Sequence, residues 1–385
     1  MPQKIYDFER IIARKGTDSI KWSHFPGDVL PLWVADMDFA VLPEIIDAVQ
    51  NRLSHPVFGY ADEDYELKEI ICTWIMHHYN WQVKPEDILI MTGVVKGLNM
   101  VAHSLATGAD HIAFLTPIYP PFFKISEFAE CKRIELPLIE GKNHYEIDFD
   151  MFSAQITDKV KVFYLCNPHN PVGRVFSQQE LERIGSICLE KKILICSDEI
   201  HCDLIYPGNK HIPIASLSPE LAKTCVTLMA PSKTFNIPGL HFSFAVIQEE
   251  TLRNKIQRLC KGLVGPPDLL AIAAAKSAYL SGEEWLEQVV QYLHINRDFL
   301  MNFIHDRLPQ ISINQPQGTY LAWLDCRQMA DGDNAYQIFL DKAKVALNDG
   351  IHFGESGKGF VRLNFGCSKL VLEKALHRIE SVFSS

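Results

Sequence analysis

VKVFYLCNPHNPVGRVFSQQELERIGSICLEKKILICSDEIH, residues 160–201, carries a strand, a helix and a second strand in one sweep. The apolar run 160–167 (VKVFYLCN) stops at a turn rich in Pro, Asn and Gly. Residues 177–191 (SQQELERIGSICLEK) are amphipathic, with Ser177 as the expected N-cap and Glu180 three residues later. A second apolar run, 192–197 (KILICS), then ends on Asp198. Two strands joined by a helix of this length pair in parallel.

The same alternation extends to both sides. Residues 87–92 (DILIMT), 111–116 (HIAFLT) and 224–230 (TCVTLMA) are further short apolar runs bounded by turn or polar residues. The middle of the chain is therefore α/β, a mostly parallel central sheet covered by helices on both faces. The ends differ. Residues 1–45 are rich in Trp, Pro and Asp, while a long helical pattern from Glu283 leads to GTYLAWLD (318–325) and GFVRLNFG (359–366). This predicts a large domain over 46–275 and a smaller α/β lobe made of 1–45 and 276–385.

Bulk properties narrow the function. With 385 residues, 47% of them hydrophobic and a net charge of −10, the chain has the composition of a globular protein and lacks the basic excess of a nucleic-acid binder. No apolar run reaches membrane-spanning length, and the first residues, MPQKIYDFERIIARKG, do not form a secretion leader, so no membrane partner is expected. The ten cysteines include no CxxC pair and several lie in strand-like runs, which points to reduced thiols in the cytoplasm, with no disulfide framework and no metal site.

In open α/β sheets ligands sit beyond the carboxyl ends of the strands. Three strand ends here carry an amide, a carboxylate and an amine: Asn170 in NPHNPVG (167–173), Asp198 in SDEIH (197–201), and Lys233 in APSKTFN (230–236). A lysine amine can hold an aldehyde cofactor as a Schiff base, which points to pyridoxal 5'-phosphate. Asp198 then pairs with the pyridine nitrogen, Asn170 bonds the phenolic oxygen, and Lys233 carries the cofactor and later removes the substrate Cα proton. The turn Gly93, Val94, Val95 follows one strand and opens a helix, so its N–H groups suit a phosphate. Each residue also has an ordinary reading: a solvated lysine, a helix-capping aspartate, a turn asparagine, a structural His201, and His77 and His78 on an exposed helix face. Their occurrence at three successive strand ends favours the chemical reading.

These stretches, with APSKTFNIPGL (230–240) and GFVRLNFGC (359–367), resemble the signatures of class I and II aminotransferase-like enzymes of fold type I. WVADMDF (33–39), VFGY (57–60) and GTYLAWLD resemble more narrowly the MalY/PatB-type carbon–sulfur β-lyases. The likeness spans nearly the whole chain. It implies that Tyr119 stacks on the pyridine ring as part of the catalytic set with Lys233 and Asp198, and that His201 and Ser232 contact the cofactor. It implies further that Tyr60 reaches the cofactor phosphate of a neighbouring subunit in a homodimer. Arg362 is implied to clamp the substrate α-carboxylate, with Asp36 and Tyr320 also on the amino acid substrate.

Departures from the general aminotransferase pattern are Ala230, His241 and His201, where relatives carry Ser or Thr, Arg, and Tyr. They resemble the lyase group and shift the expectation toward β-elimination on cysteine S-conjugates such as L-cystathionine. Gly366-Cys367-Ser368-Lys369 departs from the GCPR of the lyase-like relatives. The alternatives are an aminotransferase on the same constellation and a cofactor-binding regulatory protein without turnover, the latter disfavoured by the absence of an appended helix-turn-helix.

Overall fold

The computed structural model describes residues 4–61, 64–141 and 144–383. A seven-stranded sheet forms its centre, from β1 (Ile88–Met91), β2 (His111–Thr116), β3 (Lys132–Pro137), β4 (Val160–Cys166), β5 (Leu194–Asp198), β6 (Cys225–Met229) and β7 (Ser243–Val246). The spatial order is β1-β7-β6-β5-β4-β2-β3, with only β7 antiparallel to its neighbours. Strands β4, β5 and β6 lie side by side, so their carboxyl ends open onto one edge of the sheet. Both faces are covered, since buried residues of alternating strand positions fall into two separate apolar cores.

The helix Gln178–Glu190 joins β4 to β5 and begins as its sequence predicts. Ser177 Oγ accepts from the Glu180 N–H at 3.3 Å and the Glu180 carboxylate accepts from the Ser177 N–H at 2.8 Å, a reciprocal capping box. Its apolar stripe, Leu181, Ile184 and Cys188, is buried against the sheet.

Several strands differ from the sequence pattern at their ends. Asp87 closes a 3₁₀ turn, Pro85–Asp87, before β1, because its carboxylate accepts from the Lys84 N–H at 3.0 Å. Lys192 has φ +56° at the end of the preceding helix, so β5 starts two residues late and takes in Asp198. The edge strand β3, KRIELP, has exposed positions and no apolar run, and β7 is only four residues long.

A second sheet is antiparallel: β8 (Ser312–Ile313), β9 (Leu321–Asp325), β10 (Asn348–Asp349) and β11 (Phe360–Asn364), in the order β8-β9-β11-β10. The helix Glu283–Arg307 precedes it, and Leu30–Pro31 pairs in parallel with Val345–Ala346, which ties the amino-terminal segment to the carboxyl-terminal part. The turn 366–369 starts the last helix, Lys369–Ser381, with Ser368 Oγ accepting from the Val371 N–H at 3.4 Å. His78, expected on an exposed face, is instead half-buried: its ring stacks on Trp74 at 4.0 Å and Nε2 meets Glu283 at 3.0 Å. His77 is exposed. No helix among the described residues is long and apolar enough to cross a membrane.

Candidate active site

The carboxyl ends of β4, β5 and β6 meet in a cavity of about 420 Å³. Asn170, Asp198 and Lys233 line it, together with Gly93, Val94, Val95, Tyr119, His201 and Ser232. Nine of the sequence-derived positions thus converge on one cleft of a size usual for small-molecule sites.

Lys233 sits on the single turn Pro231–Thr234 that follows β6, anchored from the next residue, where Thr234 Oγ1 donates to Asp203 at 2.6 Å. Its amine donates to the carbonyl of Ala35. Burial pulls that amine down to about 8; Asp36 and Asp198 hold it up, and Arg362 lowers it. Asp198, the last residue of β5, accepts from the Ile200 N–H at 3.1 Å. Burial pushes its carboxyl up to about 7, opposed by the Ile200 N–H and Lys233 and reinforced by Glu199. Glu199 itself is buried, accepting from Ser197 Oγ and meeting His211 Nε2, each at 2.8 Å.

The phosphate-type cradle is the start of the helix Val94–Leu105. Its cap, Gly93, has φ +125°, a conformation side chains disfavour even though nothing crowds the position. The Gly93 N–H donates to Ser243 Oγ on β7 at 2.8 Å, fixing the turn. The next N–H groups belong to the first helical turn and have no intrahelical acceptor. His201 lies opposite, 2% exposed, with Nδ1 buried and unpartnered. Burial, then Lys233 and Arg362, keep this imidazole neutral by driving its pKa far down.

Arg362, on β11, lies behind the cleft. Its guanidinium donates to Asn170 Oδ1 at 3.0 Å, to the Trp33 carbonyl at 2.9 Å and to Asn348 Oδ1 at 2.6 Å, and stacks on Phe353 at 5.0 Å. Burial lowers it to about 10, with Tyr119 and Tyr320 acting the other way. Because Asn170 gives its oxygen to Arg362, its Nδ2 is the atom left to donate into the cleft. The Tyr119 hydroxyl is raised by burial.

Besides Arg362, three sequence-derived residues lie outside this cavity. Tyr320 is fully buried and donates to the Ala35 carbonyl at 2.8 Å. Asp36 is salt-bridged to Arg14 at 2.7 Å and lines an adjoining chamber. Tyr60 is fully exposed, in a groove with Phe58 and Pro266.

Sequence reasoning missed the supports: Ser243 under the cradle, Asn348 on Arg362, and the carbonyl of Ala35 shared by Lys233 and Tyr320. It also missed Asn236, whose amide holds Met37 and Phe39 through three main-chain bonds of 2.9–3.0 Å. Asn236 stood inside a quoted motif; Ser243 and the Ala35 carbonyl join segments 150 residues or more apart, and Asn348 meets Arg362 across 14 residues only because their strands pair.

Comparison with known proteins agrees with this geometry. The family model for Aminotransferase class I and II matches residues 27–379. Cystathionine beta-lyase PatB of Bacillus subtilis (strain 168) is 38% identical, covering 98% of this chain and 100% of the relative. Protein MalY of Escherichia coli (strain K12) is 31% identical, covering 97% of each. Among solved structures, cystalysin from Treponema denticola, which contains a pyridoxal 5'-phosphate cofactor, superposes with a TM-score of 0.96 at 32% identity, covering 99% of each chain. The architecture is that of fold type I. The chain belongs to the class I and II aminotransferase family, in its MalY/PatB-type branch.

Proposed function

We propose that this protein is a pyridoxal 5'-phosphate-dependent carbon–sulfur β-lyase. It acts on cysteine S-conjugates such as L-cystathionine, releasing a thiol, pyruvate and ammonia. The observation that carries the reading is the single cavity in which Lys233, Asp198, His201, Asn170 and the Gly93–Val95 turn face one another. Its relatives carry the reaction in their names: PatB is a cystathionine β-lyase.

The donor set fits the cofactor group by group. An amine awaits an aldehyde at Lys233, helix N–H groups suit a phosphate at Gly93 to Val95, and Asn170 Nδ2 can donate to a phenolic oxygen. His201 Nδ1 is buried without a partner, an arrangement that calls for a ligand. Asp198, raised to about 7 by burial, is a costly anion that a pyridinium would offset. Ser232 lines the wall beside Lys233 and Tyr119 supplies an aromatic face. When bound, the cofactor supplies an electron sink conjugated to the substrate Cα.

The chain's own groups do the rest. Arg362 receives the α-carboxylate, its fork held in place by Asn170, Asn348 and the Trp33 carbonyl. Lys233 Nζ, at about 8, has a neutral fraction near physiological pH and accepts the Cα proton. Asp198 would hold the pyridine nitrogen as a carboxylate, and the sulfur leaves Cβ with the C–S electron pair. Tyr320 and Asp36 shape the substrate side from beside Ala35. His201, Ala230 and His241 stand where the general aminotransferase pattern has Tyr, Ser or Thr, and Arg, which weighs for elimination over transamination.

We infer in addition a homodimer in which Tyr60 completes the partner's phosphate site. Tyr60 is exposed beside Phe58 and Val57, both about 60% exposed, in a groove on the chain's own surface. The division into a large domain over 46–275 and a lobe of 1–45 with 276–385 is supported by the residue spans of the two sheets. Ten free cysteines, eight of them buried, support residence in a reducing compartment, the cytoplasm.

The test compares wild type with Lys233→Ala after loading with pyridoxal phosphate. The wild type is expected to show a visible absorbance band and to release pyruvate from L-cystathionine, and the variant neither. Conversion to the pyridoxamine form without pyruvate would make the protein an aminotransferase.

A further inference from the structure

A second chamber of about 560 Å³ adjoins the cleft and shares Ala35, Lys233 and Pro238 with it. A substituent on the substrate Cβ, held beside Lys233, has this chamber as its continuation. Ile12, Val34 and Val41 give it an apolar part, and Arg14, Asp18, Asp36, Asp38 and Lys233 a charged one.

The charges are not balanced. Arg14 Nη2 pairs with Asp36 at 2.7 Å and its Nη1 with Asp38 at 2.6 Å, and the buried Lys21 pairs with Asp38 at 2.8 Å from behind. Both cations are consumed by the two carboxylates. Asp18, exposed at the rim, takes part in none of these pairs, which leaves the set with one negative charge in excess. Of the other cations along the two cavities, Lys233 is the amine assigned to the cofactor and the Cα proton, Lys96 lies at the phosphate end on Thr92 Oγ1, and Arg362 is committed to the α-carboxylate side. A carboxylate at the far end of a substrate therefore meets no cation of its own among the described residues and faces Asp18, whereas an ammonium meets Asp18, the one carboxylate of the wall outside the ion pairs.

We propose that this outer chamber sets the substrate class by charge: cysteine S-conjugates whose distal end is an ammonium or a balanced zwitterion are accepted, and those ending in a lone anion are rejected. The inference rests on the β-lyase reading and specifies its substrates. In each turnover the Cα proton passes to Lys233 and the C–S bond breaks with its electron pair on sulfur. One water then enters, so that one conjugate yields one thiol, one pyruvate and one ammonia.

Three conjugates of similar length test the proposal on the holoenzyme: S-(2-aminoethyl)-, S-propyl- and S-(2-carboxyethyl)-L-cysteine. The expected order of kcat/KM is aminoethyl, propyl, carboxyethyl, with roughly tenfold between the first and last at low salt. Asp18→Lys, at an exposed site outside the ion pairs, is expected to reduce that ratio at least about threefold. Equal or reversed order, or a ratio unmoved in Asp18→Lys, overturns the proposal. If no conjugate gives pyruvate, the elimination reading falls, and the same charge order is then sought in dissociation constants from holoenzyme absorbance titrations.

Discussion

Asp198 and Lys233 are two buried ionisable side chains whose pKa values are driven toward each other, one up to about 7 and the other down to about 8. Such pairs mark sites where burial is retained for chemistry. Asp198 has a folded value above its usual 3.8, so its contribution to stability is present below that value and is lost as pH rises through 7. Asp198→Asn removes this loss. Cofactor-free Asp198→Asn is expected to melt above cofactor-free wild type by about 2–4 °C at pH 8, with the gap narrowing through pH 5 and closing near pH 4, as scanning calorimetry across that range would record. Its pyruvate production is expected to fall by roughly 100-fold or more, since the charge that stabilises the pyridinium is gone. Both residues were legible because a strand end fixes where a side chain points. Asn348 and Ser243 were not, since their partners Arg362 and Gly93 are reached only after two strands pair.

At the scale of elements, legibility followed local chemistry. The helix Gln178–Glu190 could be read to within a residue because Ser177 and Glu180 cap it reciprocally. Ser177→Ala is expected to cost about 1 kcal/mol in urea unfolding while leaving the kinetics alone, as the helix start lies away from the cleft. The antiparallel β7 escaped notice, although it carries Ser243 and pairs with both β1 and β6. It is no shorter than β1, but its place in the sheet is set by neighbours distant in sequence.

For the whole molecule, the proposed homodimer predicts that each site is completed by a second chain. Co-expression of Lys233→Ala with Tyr60→Ala yields hybrids in which one of two sites holds both native residues. About a quarter of wild-type activity is expected from a random mixture, where each variant alone has little. Purified hybrid with no activity would confine Tyr60 to the site of its own chain, and full activity of Tyr60→Ala alone would remove it from the catalytic assembly. The molecule also holds in an unusual way the ribbon of residues 33–39, six of which line the outer chamber. Arg362, Asn364, Asn236, Tyr320 and Lys233 all grip it by main-chain carbonyls, from Trp33 to Phe39. A strip anchored by its backbone does not depend on Val34 or Ala35 to stay in place. Those two positions line the outer chamber, so new selectivities could be explored there by directed evolution at little structural cost.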